Sequence, residues 1–140
     1  MTEAEVQELL RALSGARLFV ASEEDGSPEA AWGDTFCYYD PDGTEDQKWP
    51  FATIVTHDTP GWDEVSDLDR PDAFRLNLHV GREHVPPVSD AIDYSRRDTI
   101  LPHPQYAAQG WVAIVNPADR DEVAQMTSLA HHRAAVRQQA

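Results

Sequence analysis

A chain of 140 residues with 41% hydrophobic content and four tryptophans is long enough to bury one core and too apolar to stay disordered. Its formal net charge of −14, from 11 Lys and Arg against 25 Asp and Glu, opposes autonomous binding to nucleic acid or to an anionic membrane surface. No apolar run approaches the ~20 residues needed to span a bilayer. The acidic, amphipathic start from Met1 to Arg11 is not expected to act as a secretory signal or a transit peptide.

Thr2-Glu3-Ala4-Glu5 is a capping-box pattern, and Val6, Leu9, Leu10 and Leu13 continue it as a helical stripe. A first helix is expected over about 3–14, with Gly15 at its C′ position. Strands follow over 16–22 and 31–40, the second closed by the turn Asp40-Pro41-Asp42-Gly43. Residues 50–57 form the third strand and 73–80 the fourth. From 81 to 109 the pattern weakens: residues 82–85 suit a helical turn stopped by Pro86-Pro87, and the rest reads as loop. Residues 111–115 make a fifth strand. Asn116-Pro117-Ala118-Asp119 then supplies an N-cap, a proline at N1 and a first-turn carboxylate for a last helix over about 117–137. With no repeats and no linker, residues 1–140 are expected as a single domain.

The fourth strand carries the main functional signal. Phe74, Leu76, Leu78 and Val80 occupy one parity, and Arg75, Asn77 and His79 the other. Successive strand side chains point to opposite faces, so one face is buried and the other carries a cation, an amide and an imidazole. Connections of hairpin length favour an antiparallel meander, and the apolar stripes of both helices need one sheet face to cover. The expected fold is α+β: a two-layer sandwich of about five antiparallel strands, N- and C-terminal helices on one face and the other face open.

The chain resembles a mainly actinobacterial family, domain-of-unknown-function family 6194. The resemblance rests on Ser27-Pro28-Glu29 with Trp32-Gly33-Asp34, on residues 36–39, and on Pro50-Phe51-Ala52-Thr53-Ile54-Val55. It continues through Ser66-Asp67-Leu68-Asp69-Arg70-Pro71, Asn77-Leu78-His79-Val80-Gly81 and Leu101-Pro102-His103-Pro104 to Trp111. The helix–meander–strand–helix order is also remotely similar to MmcQ/YjbR-like proteins. That resemblance implies a double-wing, frataxin-like shape and a predicted DNA-binding role, which the charge opposes. Neither resemblance supplies catalytic residues.

Metal chemistry has little support. No His-Glu-x-x-His spacing and no His-x-His strand pair is present, and the adjacent His131 and His132 diverge by about 100° on a helix. A hairpin centred near Glu64-Val65 would put His57 near Phe74 and His79 near Ala52, at opposite ends. Asp40, Asp42 and Asp46 lack calcium-loop spacing. No cofactor and no metal are expected. Cys37, the single cysteine, lacks a basic neighbour or a helix N-terminus to activate it, and is expected as a reduced, partly buried thiol in a cytoplasmic protein.

Acid–base chemistry is the better catalytic candidate. His79 on the open face and His103 on the proline-bounded loop would form the titrating pair, with Asp69 orienting an imidazole. Arg70 or Arg75 would hold an anionic substrate, and Asn77, Trp32, Tyr106 and Trp111 would line the site. A structural role is the alternative for each: Asp69 capping a turn, Arg70 stapling the loop, His79 bonding a carbonyl. Trp49 and Trp62 lie in loops, where exposed aromatics mark a lid, a pocket rim or a dimer contact.

The expected function is therefore binding of a small molecule or a protein partner on the open face, walled by residues 67–71 and 101–106. An enzyme using His79 and His103, and a homodimer whose second sheet comes from another copy, are the alternatives. Neither nucleic acid nor membrane is an expected partner.

Overall fold

The computed structural model describes residues 1–44 and 49–139, so Asp46 of the rejected calcium loop lies outside the described residues. In chain order the elements are α1 (Glu3–Arg11), β1 (Ala16–Val20), β2 (Thr35–Tyr39), β3 (Ala52–Val55), β4 (Arg75–His79), β5 (Leu101–Pro102), β6 (Trp111–Val115) and α2 (Arg120–Gln139). The six strands form one antiparallel sheet in the order β1-β2-β3-β4-β6-β5. This is the expected α+β class with one more strand, the two-residue β5, too short to show in any alternation.

The capping box forms as the sequence implies: the Thr2 hydroxyl accepts from the Glu5 amide (3.1 Å) and the Glu5 carboxylate from the Thr2 amide (2.9 Å). α1 ends at Arg11 rather than 14, because the Leu13 amide bonds back to Leu10 and tightens the turn toward Gly15. Gly15 sits at φ +71°, where a Cβ would come within 2.9 Å of the Tyr39 ring. α2 starts three residues later than expected. Asn116 adopts φ +43° and gives its amide to the Phe74 carbonyl, so Asp119 becomes the cap and accepts from the Glu122 amide at 3.1 Å.

Both helices cover the same sheet face. Val6 and Leu10 from α1, and Val123, Met126 and Ala130 from α2, share one core with Cys37, Ile54, Leu76, Leu78 and Val112. That shared face sets the register of β3 against β4. Ala52 faces Leu78 and Ile54 faces Leu76, which puts His79 near Ala52, as a hairpin centred near Glu64-Val65 implies. Cross-strand partners share a face, and burial of Ala52, Ile54, Leu76 and Leu78 on one face fixes this register.

The other face is not fully open. The connection from β3 to β4, residues 56–74, is longer than a hairpin turn and folds back over the sheet. Leu68 is buried beneath it against Val115 and Ala73, with Val55 packed alongside. Arg70 holds this segment down: its Nε donates to the Asp67 carbonyl (2.7 Å) and its Nη2 to the Ser95 carbonyl (3.0 Å). Among the described residues, no helix is long and apolar enough to cross a membrane.

Candidate functional site

The three polar residues of β4 do not share one environment. Arg75 is 1% exposed. Its Nη1 and Nη2 grip both carboxylate oxygens of Asp63 at 3.0 and 2.7 Å, Nη1 also donates to the Ser66 hydroxyl (2.8 Å), and Nε donates to Asn77 Oδ1 (2.8 Å). Asn77 passes the chain on, its Nδ2 donating to Thr53 Oγ1 on β3 at 3.0 Å. The planar fork of a guanidinium matches a carboxylate in this way, and such a buried pair is costly to break. The polar groups of Arg75 and Asn77 are thus taken up by hydrogen bonds within the fold, with Asp63 and Ser66 of the β3–β4 connection as partners of Arg75.

His103 lies against this network. Its ring is buried, and its Nδ1 accepts from the backbone amides of Gln105 and Tyr106, both at 3.1 Å, which leaves the proton on Nε2. Burial, with the Arg75 charge added, pushes its pKa down to about 3, although Asp63 pulls the other way. His103 is therefore a neutral imidazole at physiological pH. It tilts against Tyr106 with ring centres 5.0 Å apart and meets Trp111 edge-on at 6.4 Å.

His79 occupies the other side of the same indole. It stacks on Trp111 with centroids 4.9 Å apart and planes 1° from parallel, and its Nε2 donates to the Gln109 carbonyl at 2.8 Å. Its pKa is lowered, first by burial and then by the charges of Arg133 and Arg137, against the Gln109 bond that raises it. Trp111 thus gathers His79, His103 and Tyr106 into one row while separating the two imidazoles, which share no proton.

The remaining expected residues hold loops. Asp69 accepts from the Asp58 amide at 3.1 Å, Arg70 staples the β3–β4 connection as described, and the Trp32 indole donates to the Ser27 carbonyl at 2.8 Å. Trp32 follows a single helical turn, Glu29–Ala31, instead of lying in a strand. Cys37 is fully buried, and burial pushes its thiol up to about 12, which removes it as a nucleophile. Among the described residues, no group of three or more His, Cys, Asp or Glu is placed to hold a metal ion.

A concavity does exist at His79, but it opens toward α2. Where β2 and β4 end and β3 begins, the last turns of α2 leave a groove of about 290 Å³. Tyr39, Phe51 and Trp49 wall it, and its polar lining includes His79, Arg133 and Arg137. The groove includes Ala130 and Ala134, and those small side chains leave room against the helix. Arg133 and Arg137 stand one helical turn apart on one face. Among the described residues neither makes an ion pair with a carboxylate. Trp49 is 87% exposed, so its indole is available at the rim.

Sequence reasoning marked Trp49 as a possible rim residue but passed over Arg133, Arg137, Tyr39 and Phe51. A signal was present. Residues 123–139 contain no Asp or Glu, in a chain with 25 such residues, and carry Arg133 with Arg137 and Ala130 with Ala134 at i,i+4 spacing. The model of DUF6194, a family of unknown function, matches residues 1–140. No curated protein and no solved structure matches the chain. The chain belongs to the DUF6194 family.

Proposed function

We propose that this DUF6194 member is a binding module for a small organic anion, taken up in the groove between α2 and the end of the sheet. The pair Arg133 and Arg137 carries the proposal. In a chain of net charge −14, two cations on one helix face lack a carboxylate partner among the described residues and share a groove with an exposed indole. The helix dipole favours a cation in the last turn, which accounts for Arg137. It does not account for Arg133 a turn earlier, nor for a groove walled by Tyr39, Trp49 and Phe51.

This moves the ligand from the face of β4 to its end. His79 remains in the site and Trp111 supports it from behind, whereas Arg75 and Asn77 belong to the network beneath the loop and His103 lies against it. The separation of the two imidazoles favours binding over acid–base catalysis by a His79–His103 pair. The helix–sheet–helix order accords with the remote likeness to MmcQ/YjbR-like proteins. The acidic surface nevertheless disfavours a nucleic-acid ligand. The buried, inert thiol of Cys37 accords with a cytoplasmic setting.

The test is a titration of the full chain with benzoate and with phenyl phosphate, followed by heat and by protein NMR. Saturable binding of at least one anion is expected. The double variant Arg133→Gln, Arg137→Gln should lose it at an unchanged melting temperature, since both side chains reach solvent or the groove. Failure of both anions to bind, or binding untouched by the double variant, would remove the proposal.

A further inference from the structure

Resting on that reading, we propose that the ligand is a phosphomonoester carried on a planar ring, with Arg133 and Arg137 holding the phosphate and Trp49 covering the ring. The first argument is charge matching. Two guanidinium groups that share no carboxylate among the described residues present two positive charges, and a monocarboxylate would leave one of them unmatched. A phosphomonoester carries about −1.5 to −2 near neutral pH and offers three strong acceptor oxygens. Its geometry suits guanidinium forks, which bond phosphate oxygens in parallel pairs.

His79 adds no third charge. Its ring is fixed by the Trp111 stack and the Gln109 carbonyl, and burial together with the two arginines keeps it neutral. The positive charge of the groove therefore comes from Arg133 and Arg137.

Shape supplies the second argument. A tryptophan left 87% exposed beside two arginines is an unused π-face, and a planar ring is what an indole face receives best. The groove, at about 290 Å³, falls just below the range of roughly 300–1,000 Å³ for small-molecule sites. That size favours a single ring with a single phosphate. Further phosphates would extend past the two arginines into the field of a chain of net charge −14, which repels them.

A matched set of probes on the full chain separates the contributions: phenyl phosphate, benzoate, phenol and inorganic phosphate. Phenyl phosphate should bind at least about tenfold more tightly than each of the others, because it alone joins a dianion to a ring. Arg133→Gln with Arg137→Gln should reduce it to the level of phenol, and Trp49→Ala to the level of inorganic phosphate. Phenyl phosphate binding no better than inorganic phosphate or phenol would overturn the assignment. Benzoate binding as tightly as phenyl phosphate, with the same dependence on the arginines, would overturn the phosphomonoester and leave the organic-anion groove standing. Binding of neither aromatic anion would overturn both.

Discussion

Leu78→Asp should leave no cooperatively folded protein at room temperature. Leu78 is fully buried, faces Ala52 on one neighbouring strand and Val112 on the other, and lies in the core that α1 and α2 cover. A carboxylate there has no partner, and burying an unpaired charge costs several kcal/mol or more, against a total stability of roughly 5–15 kcal/mol for a domain of this kind. Leu78→Met, which nearly conserves volume, should cost less than about 1.5 kcal/mol. Thermal unfolding followed by circular dichroism checks both. A melting temperature unchanged by the aspartate would mean that the helices cover the opposite parity of β4.

Asp63→Ala should be the most damaging substitution outside that core, lowering stability by about 3–5 kcal/mol. Asp63 takes both nitrogens of the Arg75 fork, and Arg75 is 1% exposed. Removing the carboxylate strands a guanidinium that water reaches poorly, with Ser66 and Asn77 as its remaining partners. Adding Arg75→Met should recover part of the loss, since the buried charge goes with its partner. Denaturant unfolding of the two single variants and the double variant measures the coupling. A loss below about 1 kcal/mol, as for an exposed ion pair, would mean that the β3–β4 connection lies off the sheet.

These two residues show what the sequence could and could not reveal. Leu78 sits in a pattern complete within one strand, so its burial was legible, as were the Thr2–Glu5 capping box and all five residues of β6. Asp63 reaches Arg75 across a loop, and nothing in the alternation of β4 indicates that a carboxylate twelve positions earlier would fold back on it. The polar parity of β4 marked something other than solvation. For Arg75 and Asn77 that purpose is fastening the covering loop, and only His79, at the end of the strand, reaches a groove. The register of β3 was legible to within one residue from the turn centring, and burial of a common face fixes the rest.

The site followed the same division. His79 and Trp111 were recognisable because their strands were. Arg133 and Arg137 were visible as a carboxylate-free stretch of helix, but the groove exists only because α2 ends over Tyr39 and Phe51. That placement comes from the tertiary packing of α2 across the sheet, which helical periodicity does not encode.

The most direct measurement is a map of where an organic anion binds. Isotope-labelled protein titrated with phenyl phosphate and with benzoate should show its largest signal changes at the Trp49 indole, at the amides of Ala130, Arg133, Ala134 and Arg137, and at the His79 ring. Changes centred on Asn77, His103 and Tyr106 would contradict the groove and return the site to the face of β4, and an absence of change with either anion would contradict the binding function itself.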